Sequence, residues 1–360
     1  MPDRLLEYAI QLQRIPAPTF HEGKRAACLQ DMLRSAGIPQ TRMDAAGNIV
    51  AIIPGVSPPL IVSAHLDTVF GVDVPHTLRQ TATTLHAPGI GDNTISLAAL
   101  VQLGTELAAA PLHHSVVLVG NVGEEGLGNL AGMRAVVDRF GNDVIAYLVL
   151  EGFSQDVLVT QAINIRRYRV SVETQGGHPW AHPQRPSAIH LLAKLANTLT
   201  SPRRRRKGRL TVNIGRIEGG TSINSIAASA SMQVDVRSIK PLPIHHFEGS
   251  LHQLCSSIEV EGSSITCECI GERPGGEIPS DAPLVQQALE ALHSAGISPV
   301  KMATGSTDAN IPLSLGYPAV CMGLTYGGDA HTTEEYIEIE PLHKGYAALK
   351  SLVTRLAKEP

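Results

Sequence analysis

Long apolar runs are missing from this 360-residue chain. None approaches the roughly 20 residues that a membrane-spanning helix needs, so no membrane role is expected. The opening Met1-Pro2-Asp3-Arg4-Leu5-Leu6-Glu7 lacks the apolar core of a secretory signal. Cysteine is scarce: the 5 present, Cys28, Cys255, Cys267, Cys269 and Cys321, are odd in number and form no C-x-x-C pair. That argues against a disulfide framework or a thiolate zinc site and makes a reducing cytoplasm the expected location. A dominant charge is absent too. The net charge is -4, so no global field recruits nucleic acid. The one basic run, Arg203-Arg204-Arg205-Arg206-Lys207, reads as a solvated loop between a helix and a strand, since no aromatics interleave it.

Hydrophobic content of 43% is that of a globular protein, and the length calls for two compact units. Residues 4–14 and 22–36 have helical periodicity, the second ending at Gly37, a plausible C-cap. Strands are expected over 48–53, 60–64, 115–120 and 144–150, with a buried helix over 96–109. Nearly continuous apolar strands suit a sheet covered by helices on both faces. The expected fold is therefore α/β, a three-layer unit. From Asn164 the texture changes to strand 166–173, helix 187–199, strands 209–217 and 229–237, helix 245–258 and strand 264–270. This β-α-β-β-α-β order is the ferredoxin-like α+β pattern. After Gly271 the first style returns, with a helix at 284–296, a strand at 319–324 and a helix at 344–357. The expected domains are thus 1–163 with 271–360, and an insert at 164–270.

Chemistry gathers where apolar runs stop. Ile61-Val62-Ser63-Ala64-His65-Leu66-Asp67 delivers a histidine and an aspartate to a strand end, on one face because side chains two apart share it. Pro88-Gly89-Ile90-Gly91-Asp92-Asn93-Thr94 is a glycine-rich turn with a carboxylate at its apex. Glu124 and Glu125 in Val122-Gly123-Glu124-Glu125-Gly126 repel one another unless a cation lies nearby. Glu151 closes the next apolar run, and His331 lies in Gly327-Gly328-Asp329-Ala330-His331-Thr332-Thr333-Glu334-Glu335. Strand-end loops of an open α/β sheet are where such folds build their sites. Gly120-x-x-Gly123-x-x-Gly126 could instead be a dinucleotide loop of an oxidoreductase, but Glu124 and Glu125 would then face a pyrophosphate.

Together, H-L-D, G-x-G-D-N, G-E-E-G, the Glu151 position and a late His followed by E-E-Y resemble the M20 family of metallopeptidases and amidohydrolases over essentially the whole chain. The resemblance implies two divalent ions, zinc with cobalt or manganese as substitutes. His65, Asp92 and Glu151 would hold one and Glu125 and His331 the other, with Asp92 bridging. Asp67 would orient His65, Glu124 would be the general base, and the Asp92–Asn93 peptide would be cis. The insert would be a lid and dimerisation domain of a homodimer. Its His178, after Gly176-Gly177, would polarise the scissile carbonyl in the neighbouring subunit. Asn224 and Arg237 would hold the substrate amide and a free carboxylate, and Ser306 and Thr307 would lie on a substrate-side loop. The expected substrate is a dipeptide, a short peptide or an N-acyl amino acid. A peptidase T-like aminopeptidase is the alternative. Pro179-Trp180-Ala181-His182-Pro183 departs from the best-studied members and leaves the substrate open.

Overall fold

The β-branched runs meet side by side in a large mixed sheet. The structure, a computed structural model, describes residues 2–200 and 210–358; the 203–207 basic run lies outside the described residues. In chain order the strands are β1 (Thr41–Met43), β2 (Ile49–Ile53), β3 (Val56–His65), β4 (Arg79–Gln80), β5 (Thr84–His86), β6 (His114–Asn121), β7 (Ala146–Glu151) and β8 (Val157–Ala162). Then follow β9 (Asn164–Thr174), β10 (Leu210–Gly219), β11 (Ser229–Ser238) and β12 (Ser263–Arg273). The last are β13 (Gly276–Glu277), β14 (Lys301–Gly305), β15 (Ala319–Gly323), β16 (Gly327–Gly328) and β17 (Tyr336–Glu338). The helices are α1 (Pro2–Gln13), α2 (Gly23–Ser35), α3 (Ile95–Leu107), α4 (Ala131–Phe140), α5 (Ala188–Leu199), α6 (Pro241–Ile258), α7 (Pro283–Ser294), α8 (Asn310–Ser314) and α9 (Leu342–Lys358).

Two compact units result. One runs up to Ala162 and resumes at Gly276; the other is Ile163–Gly275. The second extends past the expected residue 270 because β12 continues through a bulge at Cys269/Gly271 to Arg273.

In the first unit the sheet order is β1-β2-β6-β3-β7-β15-β8-β13, with β14 beside β8. Its centre, β6-β3-β7-β15, is parallel. Alternation assigns the faces. Leu60, Val62 and Ala64 of β3 join one core with Leu29 of α2, Leu100 of α3 and Leu349 of α9. Ile61 turns to the other core, with Met133 and Val136 of α4 and Ile311 of α8. This is the expected three-layer α/β arrangement. Burial on both faces explains why these strands read as unbroken apolar runs. Gly37 takes φ 92 as the left-handed residue closing α2, and the amides of Gly37 and Ile38 donate to the carbonyls of Arg34 and Leu33. Helix α4 and strands β8 and β14 have no counterpart in the sequence reading. They are short; half of β8 is only partly covered, and no residue of β14 is buried.

Because the central strands run parallel, the ends of β3, β6 and β7 lie at the same sheet edge, and His65, the 123–125 turn and Glu151 are delivered there. A small sheet, β16-β17-β5-β4, leads through Gly327–Gly328 into the turn bearing His331. The second unit has antiparallel order β10-β11-β9-β12, the ferredoxin-like arrangement. Helices α5 and α6 cover the face formed by Tyr168, Val170, Met232 and Val234. No helix among the described residues is long and apolar enough to cross a membrane. All five cysteines are free thiols.

Candidate metal centre

His65 closes β3 and is 1% exposed. Its Nδ1 donates to the backbone carbonyl of Asp67 at 2.9 Å, which leaves the Nε2 lone pair for the site. The Asp67 carboxylate stands farther off, with Oδ1 3.7 Å from Nδ1. Its main partners are the amides of Glu124 and Glu125, at 3.0 and 2.9 Å, and the Thr19 hydroxyl at 2.9 Å. Asp67 thus grips the ring through its own backbone and the glutamate turn through its side chain. Buried Glu22 adds a further anchor to that turn, accepting from the Gly123 amide at 3.1 Å.

Asp92 sits in a kinked turn, Ile90–Thr94, that begins after Gly89 at φ 69 and is non-helical at Asp92 and Asn93. The Asp92–Asn93 peptide is cis. Asn93 Nδ2 donates to the Leu150 carbonyl at 2.7 Å, which ties the turn to the end of β7. Close approach here requires glycine: a Cβ on Gly152 would lie 1.9 Å from the Gly91 carbonyl oxygen. The Asp92 carboxylate therefore sits beside Glu151.

The carboxylate of Asp92 is shared. Oδ1 lies 3.0 Å from His65 Nε2, and Oδ2 lies 3.0 Å from His331 Nε2. Glu151 Oε2 is 3.8 Å from His65 Nε2, and Glu125 Oε1 is 3.3 Å from His331 Nε2. Ligand atoms of His65, Asp92 and Glu125 all fall within 4.8 Å of one another, a spacing that could hold a metal ion. The structure brings together all five sequence-derived ligand candidates, with Glu124 adjoining and 5% exposed.

Opposite charges in the cluster stabilise one another. Burial works against ionised Asp92, but hydrogen bonds from His331 and His65 outweigh it and hold its carboxyl well below the usual range. Burial likewise opposes a charged His65, yet Asp92 and Glu151 push its pKa well up. Hydrogen bonds to Asp92 and Glu125 push His331 up to about 10. Burial, only partly offset by His65, raises Glu151 to about 7. The two imidazoles are acting as counter-ions for convergent carboxylates, a task a divalent cation performs better. Two imidazole nitrogens and three carboxylates, with no thiolate, fit zinc or a similar divalent ion.

Three buried acids that the sequence reading left unassigned hold segments that carry or adjoin the ligands. Besides Glu22, Asp308 is fully buried, and its Oδ2 accepts from Asn121 Nδ2 at 2.6 Å, at the end of β6. Glu335, also fully buried, accepts from the amides of Gly89, Gly91 and Asp92. The only signal for them was an acid beside a motif: Asp308 after Ser306-Thr307, and Glu335 in E-E-Y. Thr307 serves its own loop, its amide donating to Asn310 Oδ1 at 3.0 Å and its hydroxyl accepting from the Ala309 amide at 3.2 Å. Ser306 lies beside it, directly after β14.

The remaining candidates belong to the second unit. His178 is exposed; its Nδ1 accepts from the Trp180 amide at 3.2 Å, and its own amide donates to His182 Nδ1 at 3.2 Å. The Ile226 amide donates to the Gly177 carbonyl at 2.8 Å, which sets the His178 turn beside the exposed loop carrying Asn224. Arg237 lies apart from both, near the far end of β11, with Nε 2.7 Å from Asp235 Oδ1.

A nitrogen-and-oxygen cluster at the carboxyl ends of a parallel sheet could hold a metal ion where α/β folds build their sites. The chain belongs to peptidase family M20/M25/M40, whose model matches residues 61–355; a dinucleotide loop at Gly120–Gly126 finds no support beside that match. Among its relatives is the Bacillus subtilis (strain 168) protein YqjE, 24% identical over 378 residues that cover 99% of each chain. Acetylornithine deacetylase of Proteus mirabilis (strain HI4320) is 23% identical over 84% of this chain and 81% of its own. The fold is also that of a Staphylococcus aureus tripeptidase, with TM-score 0.81 at 20% identity, over 100% of this chain and 99% of the other.

Proposed function

We propose that this protein is a dinuclear metal-dependent hydrolase that cleaves an amide or peptide bond in a small substrate bearing a free carboxylate. Dipeptides, short peptides and N-acyl amino acids are the candidates. The observation that carries this reading is the division of the Asp92 carboxylate between His65 and His331, each 3.0 Å away. His65, Asp92 and Glu151 would hold one ion, and Glu125 and His331 the other, with Asp92 common to both. Zinc suits the donors, with cobalt or manganese as substitutes. When bound, the ions supply Lewis acidity, lowering the pKa of a water and polarising the scissile carbonyl. Glu124, which the ligand set does not require, takes the proton from the attacking water and returns it to the leaving nitrogen. Asp67 keeps His65 in its tautomer and holds the amides of Glu124 and Glu125.

The inserted domain, Ile163–Gly275, acts as the lid and dimerisation domain of a homodimer, and the rest of the chain as the catalytic domain. Support comes from within the insert. His178 and Asn224 adjoin the Ser229 end of β11, while Arg237 is eight residues along the strand, about 27 Å at 3.4 Å per residue. A dipeptide spans only about 7 Å, so one insert cannot apply both groups to one substrate. The partner subunit's His178 would polarise the carbonyl, with Asn224 beside it, and an Arg237 fork from the other copy would hold the carboxylate. Ser306 and Thr307 would line the substrate side of the metals. Free thiols throughout agree with a cytoplasmic location.

A second reading is a peptidase T-like aminopeptidase, favoured by the full-length fold match to a tripeptidase. Metal-stripped protein reconstituted with zinc, cobalt or manganese, then offered dipeptides, tripeptides and N-acetyl amino acids, separates the two. We expect two ions per chain and metal-dependent hydrolysis of substrates with a free carboxylate. Equal turnover of C-terminally amidated substrates would remove the carboxylate requirement. A strict need for a free amino group would select the aminopeptidase. No metal-dependent hydrolysis of any of them would overturn both.

A further inference from the structure

We propose that Glu335 is a positioning residue that sets the separation of Asp92 and His331, two ligands from opposite ends of the chain. This rests on the metal-site reading above and adds to it a residue outside the ligand set. Four hydrogen bonds run from the Ala87–Asp92 segment to Glu335. Its backbone carbonyl accepts from the Ala87 amide at 3.0 Å. Its Oε2 accepts from Gly89 at 3.2 Å, and its Oε1 from Gly91 at 2.8 Å and Asp92 at 2.9 Å. Three amides converging on one anion form a backbone nest, here filled by a side chain from more than 240 positions away.

The other end of the link is His331, four residues earlier. A tight turn spans the interval, the Thr332 amide donating to the Asp329 carbonyl at 3.1 Å and the Glu335 amide to the Thr332 carbonyl at 3.3 Å. Asp329 and His331 take φ 54 and φ 65, a region non-glycine residues seldom occupy unless their surroundings hold them there. Glu335 is fully buried and fixes the turn on its C-terminal side, as the pairing of Gly328 with Tyr336 does on the other, whereas the His331 side chain is 55% exposed. One carboxylate thus anchors both the loop under Asp92 and the turn under His331.

The test is Glu335→Gln, which keeps the volume but presents an NH2 to backbone donors and so loses at least one amide contact. Cobalt-loaded wild type and variant are compared by calorimetric metal titration and by visible spectroscopy, with a thermal melt of each metal-free protein. We expect metal affinity to fall roughly 10- to 100-fold, as for other residues that orient ligands, with a shifted cobalt spectrum. Glu335→Asp, one methylene short of the nest, should fall in the same direction. Wild-type affinity and an unchanged spectrum in Glu335→Gln would overturn the proposal, even if its melt were lowered, because that pattern is plain structural support. If Glu335→Gln does not fold, the same titration on Glu335→Asp decides. Wild-type protein that takes up no cobalt would sink the metal-site reading itself, a separate failure.

Discussion

The two units treat their candidate groups in opposite ways. In the sheet-centred unit His65, Asp67, Glu124, Glu125 and Glu335 are buried, with His331 the exposed exception at 55%, and Asp67 and Glu335 are tied to backbone amides. In the inserted unit His178, Asn224 and Arg237 are exposed, and the large apolar side chains beside the first two, Trp180 and Ile223, are 89% and 104% exposed. The difference follows from what each task demands. A ligand set must be held to within about 0.5 Å by contacts that do not yield, and a nest of amides around a buried carboxylate does so. Groups that meet a substrate or a second subunit need accessible surface, and their order is completed on binding.

The comparison can be broken by substitution, most severely in the buried unit. Glu124→Gln should lower kcat by roughly 10²- to 10⁴-fold, the worth of a general base, while metal analysis still finds both ions. A near-normal kcat would remove Glu124 from the chemistry. His178→Ala should cost roughly 10²- to 10³-fold, as for loss of an oxyanion donor. Mixed with Glu124→Ala chains it should recover about a quarter of wild-type activity, since half the dimers are hybrid and each has one intact site of two. No recovery after verified subunit exchange would confine His178 to its own chain's site or exclude it from catalysis. Arg237→Ala should act mainly on KM, raising it about 10- to 100-fold for carboxylate substrates, the range of one charged hydrogen bond. The same change on an amidated substrate should do little. Smallest of all, Trp180→Ala should shift stability by no more than about 0.5 kcal/mol, read from denaturant unfolding. A larger loss would mean that Trp180 is covered in solution and that the insert is not open there.

Much of the ligand set was legible because it sits where periodicity breaks. A parallel strand buried on both faces must be an unbroken apolar run, so a polar residue closing it, such as His65 or Glu151, stands out. The role of Asp67 was only half legible. Alternation placed its side chain on the His65 face, but the chain turns after Leu66, so the carbonyl reaches the ring and the carboxylate reaches the glutamate amides. Helix α4 escaped because ten residues are too few for helical periodicity to stand out.

What the sequence determined by itself is whatever depends on neighbours along the chain: the strands buried on both faces, the order of elements in the insert, and the residue types at the ends of those strands. Only the tertiary structure decided which atoms meet. Oδ1 and Oδ2 of Asp92 face histidines 27 residues before and 239 residues after it, and the amides under Asp92 find their acceptor in Glu335. Such pairings are made by the sheet order and the path of the returning chain. A carboxylate has the same identity whether it holds an ion, takes a proton or fills a nest, and only its surroundings in the folded chain distinguish these roles.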